Sequence, residues 1–197
     1  MPNPALDPET AVHFEIGYER RSELWGAKIA LFHSKLHDAI QSITVAPTSC
    51  PSSPCTQLQN IGEQRNRGVE LSVDVAPIST LRLNGQVTYV DVDNLTNPSV
   101  RALNTPKAKY LVAADWQFLP QWRLRVDTQH EDERFSNSTG SRTADGFTLA
   151  NAFVRFNPVE RLGIELGVRN VTDELYAYEE GFYEAGRTWI GQLDYRF

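Results

Sequence analysis

Apolar and polar residues alternate over most of this sequence, and that pattern restricts the chain to a fold built from β-strands. In residues 81–89, for example, apolar residues and one glycine alternate with Arg82, Asn84, Gln86 and Thr88. A period of two residues sends successive side chains to opposite faces of a strand, and it is typical of strands with one apolar face. Helical periodicity is hard to find. The sequence therefore predicts an all-β chain.

The alternation predicts an antiparallel meander of about nine long strands. They cover residues 12–18, 25–31, 69–75, 81–89, about 108–118, 122–129, about 147–157, 162–169 and 189–197. The connections between them are short at 19–23, 76–80, 119–121 and 157–161, and long at about 45–57, 91–107, 130–146 and 171–186. In a meander this order places every short turn at one end of the sheet and every long loop at the other, which is typical of outer-membrane β-barrels.

Aromatic residues fit the same interpretation. Trp25, Trp116 and Trp122 lie near short turns and Tyr89 lies near a long loop, as expected for the aromatic girdles of a membrane barrel. A soluble β-sandwich is the alternative that alternation alone leaves open. Long apolar faces, strongly charged opposite faces and the separation of loop lengths by end favour the barrel.

Length and charge exclude several other classes. The 197 residues, 41% of them hydrophobic, suffice for one domain with a core. Lysine and arginine form no basic stripe in a chain with a net charge of −6, so no nucleic-acid partner is expected. No run of about 18 apolar residues predicts a transmembrane helix, and residues 1–10 do not have the pattern of a secretory signal peptide.

No catalytic or metal centre is predicted. Cys50 and Cys55 lie in a proline- and serine-rich segment, where a disulfide in an oxidising compartment is favoured over two free thiols. His33 and His37 would lie about 13 Å apart on a strand, too far for one ion. No serine or cysteine stands in a motif with histidine, so we expect no enzyme, no cofactor and no metal site.

Motifs along the chain resemble those of TonB-dependent outer-membrane receptors of the siderophore-receptor type. Residues 170–176 (NVTDELY) resemble N-L-F-D-x-x-Y, and residues 180–187 (EGFYEAGR) are similar to E-G-Y-P-E-x-G-R. The last strand ends in Tyr195-Arg196-Phe197, similar to the terminal aromatic signal that the barrel-assembly machinery reads. Segments 3–9, 60–70, 83–89 and 105–107 match earlier family motifs in the same order. The family-motif residues expected to have structural roles are Asn170, Asp173, Tyr176, Gly186, Arg187, Tyr195 and Phe197.

The resemblance implies the C-terminal part of a 22-stranded transmembrane β-barrel, with residues 1–197 as barrel domain and the plug domain and TonB box absent. It implies location in the Gram-negative outer membrane and contacts with its lipid, with the barrel-assembly machinery through the last strand, and with TonB only through a missing N-terminal region. The implied function is uptake of a ferric siderophore or similar iron complex, although this chain alone is not expected to transport. Candidate ligand contacts in the long loops are Asp91, Asp93, Asn94, Phe135, Tyr178 and Phe182. The alternatives are a small independent outer-membrane pore and a soluble β-sandwich binding module.

Overall fold

The computed structural model describes residues 2–45 and 55–197, and this part of the chain contains fifteen β-strands and no helix. In chain order they are β1 (Thr10–Arg21), β2 (Trp25–His37), β3 (Ile40–Val45), β4 (Cys55–Asn60), β5 (Gln64–Ile78), β6 (Leu81–Asn94), β7 (Ala108–Leu119), β8 (Trp122–Glu131), β9 (Arg134–Phe135), β10 (Thr143–Ala144), β11 (Phe147–Val159), β12 (Leu162–Arg169), β13 (Ala177–Glu179), β14 (Phe182–Tyr183) and β15 (Thr188–Tyr195). None of the described residues belongs to a helix long and apolar enough to span a membrane.

Nine long strands form a single antiparallel sheet in the order β1-β2-β5-β6-β7-β8-β11-β12-β15. Each pairs with the next long strand along the chain, so the sheet is the meander that the alternation predicted, and its nine strands are confirmed. The turns of 22–24, 79–80, 120–121 and 160–161 lie at one end, which we call the short-turn end. The longer connections lie at the opposite end, the loop end.

Six short strands were not predicted, and all of them lie within the long connections. They pair as three hairpins, β3–β4, β9–β10 and β13–β14. Four of the six strands have only two or three residues, too few to show alternation in the sequence. The loop end therefore carries folded hairpins.

Several strands are longer than the alternation indicated, among them β1, β2, β5 and β6. β5 begins at Gln64, five residues before the predicted start at 69, and β6 continues to Asn94. Residues 64–68 and 90–94 pair across these two strands, and they include four charged residues, with Arg65 opposite Asp93 and Arg67 opposite Asp91. Opposite charges in register stabilise a strand pair as apolar contacts do. Charge pairing thus replaces apolar alternation in these extensions.

The register gives the sheet one apolar and one polar face. Trp25, Val75, Leu83, Ala114 and Val126 form one continuous row across five strands. This apolar face is open: the exposed fraction reaches 68% for Phe14 and 77% for Trp189. The described residues include no large side chain that is fully buried. A face of this extent is unfavourable in water and requires lipid or another apolar partner.

The opposite face carries a network of polar side chains. The Asn84 amide donates to Asp74 Oδ1 (2.7 Å) and the Asn151 amide donates to Asp127 Oδ2 (2.6 Å). No second large sheet covers the apolar face within residues 2–45 and 55–197. The structure therefore differs from a β-sandwich, in which two sheets bury their apolar faces against each other.

Aromatic rings mark the short-turn end of the apolar face. Trp116, Phe118, Trp122 and Phe156 form a chain of ring contacts with centroid separations of 5.7, 6.4 and 4.4 Å. The Arg20 guanidinium lies 5.7 Å from the centre of the Trp25 ring in the same region. Amphipathic rings with nearby cations are typical of a membrane–water boundary.

Candidate functional site

A cleft of about 620 Å³ opens at the loop end, between the extension of β6, the segment 95–107 and the β9–β10 hairpin. We call it the loop-end cleft. Its lining combines carboxylates, cations, hydroxyls and an aromatic ring: Val90, Asp91, Val92, Asp93, Asn94, Pro98, Val100, Arg101, Ala102, Thr105, Lys107, Asp132, Glu133, Arg134, Phe135 and Thr143. Four of the six ligand candidates from the sequence, Asp91, Asp93, Asn94 and Phe135, therefore share one cleft.

Paired charges fix the β5–β6 side of the cleft. Arg67 donates to Asp91 Oδ2 from Nη2 (2.7 Å) and Nε (3.1 Å), and Arg65 Nη2 donates to Asp93 Oδ2 (2.6 Å). Both carboxylates are thus neutralised by the neighbouring strand. Asn94 is buried, and its Oδ1 accepts from the Asn97 backbone N–H (2.7 Å), so it shapes the turn that leaves β6.

Loop 61–63 contacts the turn that leaves β6 and holds it in place. Thr96 Oγ1 accepts from the Glu63 backbone N–H (2.8 Å), and a Cβ on Gly62, at φ +81°, would lie against the Thr96 side chain. The Glu63 carboxylate meets Lys35 Nζ (2.9 Å) and His37 Nδ1 (3.2 Å). The hydrogen bond from Lys35 is the main cause that holds the pKa of Glu63 below its ordinary value.

Phe135 and Arg101 form the opposite side of the cleft. The Arg101 guanidinium carbon lies 5.6 Å from the centre of the Phe135 ring. The Arg101 backbone is held at both polar groups, since its N–H donates to Ser138 O (2.9 Å) and its carbonyl accepts from the Gln41 side chain (2.8 Å). The contacts bring three loop-end segments, from β3, the segment 95–107 and the β9–β10 connection, into one assembly.

Arg134 is buried where the cleft meets the polar face of the sheet. Its Nη2 donates to Glu131 Oε2 (2.8 Å), and Lys109 Nζ approaches Glu131 Oε1 (2.7 Å). The guanidinium lies 5.4 Å from the ring centres of both Phe147 and Tyr178. Its Nε is buried and has no hydrogen-bond partner within the described chain. Arg134 is not among the site residues predicted from the sequence, since the local sequence EDERF carries no signal of this enclosure.

The remaining two ligand candidates lie on the β13–β14 hairpin. Tyr178 contacts the cleft through Arg134, and burial raises the pKa of Tyr178 and of its neighbour Tyr176. Glu180 ties the hairpin to the adjacent loops through Arg142 (2.6 Å) and Ser136 Oγ (3.0 Å). Phe182 is 70% exposed and does not line the cleft.

The family-motif residues form the turn after β12. Asn170 is buried at φ +52°, its Oδ1 accepts from the Glu174 N–H (2.8 Å), and its Nδ2 donates to the Glu174 carbonyl (2.8 Å). Asp173 Oδ1 accepts from the Arg187 N–H (2.7 Å), and Arg187 Nε donates to the Val171 carbonyl (3.0 Å). These contacts join the two sides of the last long connection.

Other family-motif residues lie beside this turn or at the chain end. A Cβ on Gly186 would lie 2.7 Å from Asp173 Oδ1, and the Tyr176 ring packs 4.7 Å from that of Phe147. Tyr195 and Phe197 form an edge-to-face ring pair (5.4 Å), with Tyr195 54% exposed. The predicted disulfide involves Cys50, which lies outside the described residues, so it stays a prediction.

A second concavity of about 580 Å³ lies on the polar face at the short-turn end. Charged side chains line much of it, among them Asp74, Arg82, Asp115 and Arg125. This second concavity lies on the surface of the open sheet, whereas folded loops enclose the loop-end cleft. We therefore take the loop-end cleft as the candidate site. Across residues 2–45 and 55–197, no group of three or more histidine, cysteine, aspartate or glutamate side chains is arranged to hold a metal ion.

Comparison with known proteins identifies the fold. The sequence model of the family described as TonB dependent receptor-like, beta-barrel, matches residues 1–171. The chain belongs to the TonB-dependent receptor family. An uncharacterized TonB-dependent receptor of Haemophilus influenzae is 28% identical over 95 residues, which are 48% of this chain and 26% of that protein. The members are outer-membrane β-barrels that act as receptors and transporters, and the family is not one of enzymes.

Solved structures of the family share the sheet. The copper transporter OprC matches with a TM-score of 0.80 at 17% identity, over 98% of this chain and 32% of OprC. A ferric enterobactin receptor from Pseudomonas aeruginosa, solved as a mutant in complex with enterobactin, matches with a TM-score of 0.76 at 19% identity, over 95% of this chain and 31% of the receptor. This chain thus spans about a third of those structures and a quarter of the curated relative, and its nine-stranded antiparallel sheet matches part of the fold of those structures.

Proposed function

We propose that residues 1–197 form the C-terminal part of the barrel domain of an outer-membrane receptor that takes up a ferric siderophore or a similar iron complex. The observation that carries this proposal is the loop-end cleft, a mixed polar and aromatic concavity at one end of a sheet whose apolar face is open. Structural neighbours that are named siderophore receptors support it, including PiuA from Acinetobacter baumannii, with a TM-score of 0.77 at 18% identity.

The two faces of the sheet determine its orientation in the proposed membrane. The apolar face contacts outer-membrane lipid, because its exposed rings and aliphatic side chains have no protein partner in the described chain. Longer loops of such barrels face outwards, so the loop end meets the external medium and the cleft is the first concavity that an arriving ligand reaches.

Further partners follow from the family. β15, which ends at Tyr195 opposite Leu162 and is followed by Phe197, is the proposed contact for the barrel-assembly machinery. TonB acts through an N-terminal region of the receptor. In this proposal the loops capture the ligand, and transport then needs the plug and TonB. We infer that the 197-residue chain on its own binds ligand but does not transport it.

Binding to the full chain tests the proposal. The chain is assembled in outer-membrane vesicles, and ferric enterobactin with radioactive iron is used as the probe in a filter-binding assay. Phe135 lines the cleft, and its ring contacts the Arg101 guanidinium. The Phe135→Ala variant is therefore expected to weaken binding about tenfold, which corresponds to about 1.4 kcal/mol.

Phe182→Ala is the matched control, since Phe182 is an exposed ring at the same end but outside the cleft. It should leave the dissociation constant within about twofold, a change of less than 0.5 kcal/mol. Equal loss in both variants would contradict a binding role of the cleft, and absence of saturable binding to any iron complex would contradict the proposed function.

A further inference from the structure

We propose that the loop-end cleft contains an anion subsite formed by Arg101, Lys107 and Arg134, and that the ligand therefore presents a carboxylate, catecholate or phosphate group there. The proposal rests on the proposed function, because it specifies the chemistry of the ligand that the same cleft receives. It goes further by assigning a ligand-binding role to three cations, of which Arg101 and Arg134 lie outside the motif segments.

An uncompensated positive charge lies next to the cleft. Glu131 is 3% exposed and is shared by two cations, Arg134 at 2.8 Å and Lys109 at 2.7 Å. One carboxylate cannot neutralise both, so the trio carries an excess positive charge. The Arg134 side chain is 4% exposed, and a charge removed from water to this degree is costly unless an opposite charge or hydrogen bonds compensate it.

The same arginine side chain also has an unpaired hydrogen-bond donor. Arg134 lines the cleft, and its Nε is buried without an acceptor in the described chain. Buried polar atoms in folded proteins almost always have a partner. An anion in the cleft would supply the missing negative charge beside this under-compensated guanidinium.

The other two cations of the cleft, Arg101 and Lys107, are exposed. Among the described residues, no carboxylate lies within 4.0 Å of Arg101 or Lys107. Arg101 is held over the Phe135 ring, and a guanidinium stacked in this way keeps the donors on its edge available for an anion. Two hydrogen bonds hold the Arg101 backbone, so the loop itself does not have to be ordered when an anion binds.

The lining carboxylates do not cancel these charges. Asp91 and Asp93 are already paired with Arg67 and Arg65. Asp132 lies 3.4 Å from His130 Nε2, and Glu133 is exposed. Asp132 and Glu133, which have no arginine or lysine partner among the described residues, line the same cleft as Arg101, Lys107 and Arg134 of the positively charged trio. The local balance is positive in a chain whose net charge is −6.

Charge-selective binding tests the subsite. Dissociation constants are measured for the full chain in outer-membrane vesicles with anionic ferric enterobactin, cationic ferrioxamine B and iron-free citrate. We expect ferric enterobactin to bind at least tenfold more tightly than ferrioxamine B. Arg101→Gln and Lys107→Gln should each weaken ferric enterobactin and citrate about five- to tenfold, leave ferrioxamine B unchanged, and reduce the salt dependence of binding.

Two variants serve as controls. Arg161→Gln removes the same charge from an exposed position in the turn between β11 and β12, and it should change no dissociation constant. Lys107→Arg keeps the charge and should retain binding. The anion subsite would be contradicted if ferric enterobactin and ferrioxamine B bound equally tightly, or if both glutamine variants kept the wild-type dissociation constant for ferric enterobactin. Either result would leave the proposed receptor function intact. Charge-dependent citrate binding with no binding of either iron complex would instead overturn the proposed function.

Discussion

Replacement of Asn170 gives a quantitative test of the turn that follows β12. Asn170 is 3% exposed, occupies the left-handed region at φ +52°, and makes two side-chain hydrogen bonds with the backbone of Glu174. Asn170→Ala removes both bonds at about 1 kcal/mol each and forces alanine into a conformation that costs about 1–2 kcal/mol. The expected loss in the free energy of unfolding is therefore about 3–4 kcal/mol.

Two further variants separate these contributions. Asn170→Gly keeps the left-handed backbone without strain but loses the hydrogen bonds, so we expect a loss of about 2 kcal/mol. Thr172→Ala is the control, because Thr172 Oγ1 lies 3.5 Å from Asn170 Oδ1, the limit of a hydrogen bond. Its removal should cost less than about 0.5 kcal/mol.

The assay is guanidinium unfolding of the full chain in detergent micelles, followed by tryptophan fluorescence. The expected order of stability is wild type, Thr172→Ala, Asn170→Gly and then Asn170→Ala. The reasoning would be refuted if Asn170→Ala unfolded at the same denaturant concentration as Thr172→Ala. Equal losses in the glycine and alanine variants would remove the backbone part of the argument.

Three other substitutions or titrations follow from the structure. Gly62→Ala should lower the free energy of unfolding by about 2–3 kcal/mol, because it combines a positive φ with a Cβ pressed against a neighbouring side chain. Val87→Arg, on the apolar face, should cost about 2–4 kcal/mol in vesicles, whereas Gln86→Arg, one position along on the polar face, should cost much less. The pKa of Glu63, lowered chiefly by Lys35, should lie below 4.5 in a carbon-13 NMR titration, so its contact is present above that pH and is lost as the pH falls through the lowered value.

Matched variants control each of these. Gly181→Ala has a similar φ of +89° with open space around the new Cβ, so it should cost only the backbone strain of about 1–2 kcal/mol. Lys35→Met should return the pKa of Glu63 towards its ordinary value. If Gly62→Ala and Gly181→Ala cost the same, the contact with the new Cβ at position 62 is not the cause. If the two arginine variants cost the same, the two faces of the sheet do not differ in environment. An unchanged pKa of Glu63 in Lys35→Met would contradict the role of Lys35.

The large elements were predictable because each is encoded by local pattern. The apolar rows of the nine long strands alternate along the chain, and the register joins them exactly where the pattern places them, as in the row from Trp25 to Val126. The charged extensions of β5 and β6 were missed because Arg65 and Arg67 have no apolar periodicity. Their strand conformation depends on Asp93 and Asp91, which lie more than 20 residues away.

The candidate site was predictable only in part, for a similar reason. Its acidic and aromatic members stood out as polar or aromatic residues in long loops. Arg134 did not, since its burial depends on Glu131, Phe147 and Tyr178 meeting from three segments. Such an enclosure is a tertiary property without a local pattern, and only the assembled loop end reveals it.

Lipid quenching of tryptophan fluorescence tests the central claim, that the apolar face of this sheet lies against membrane lipid. All four tryptophans of the chain, Trp25, Trp116, Trp122 and Trp189, belong to the rows of that face. In vesicles of brominated lipid the account predicts strong quenching by bromine near the headgroups and little quenching by aqueous iodide. Strong iodide quenching with no effect of the brominated lipid would show a face in contact with water and would contradict a membrane receptor barrel.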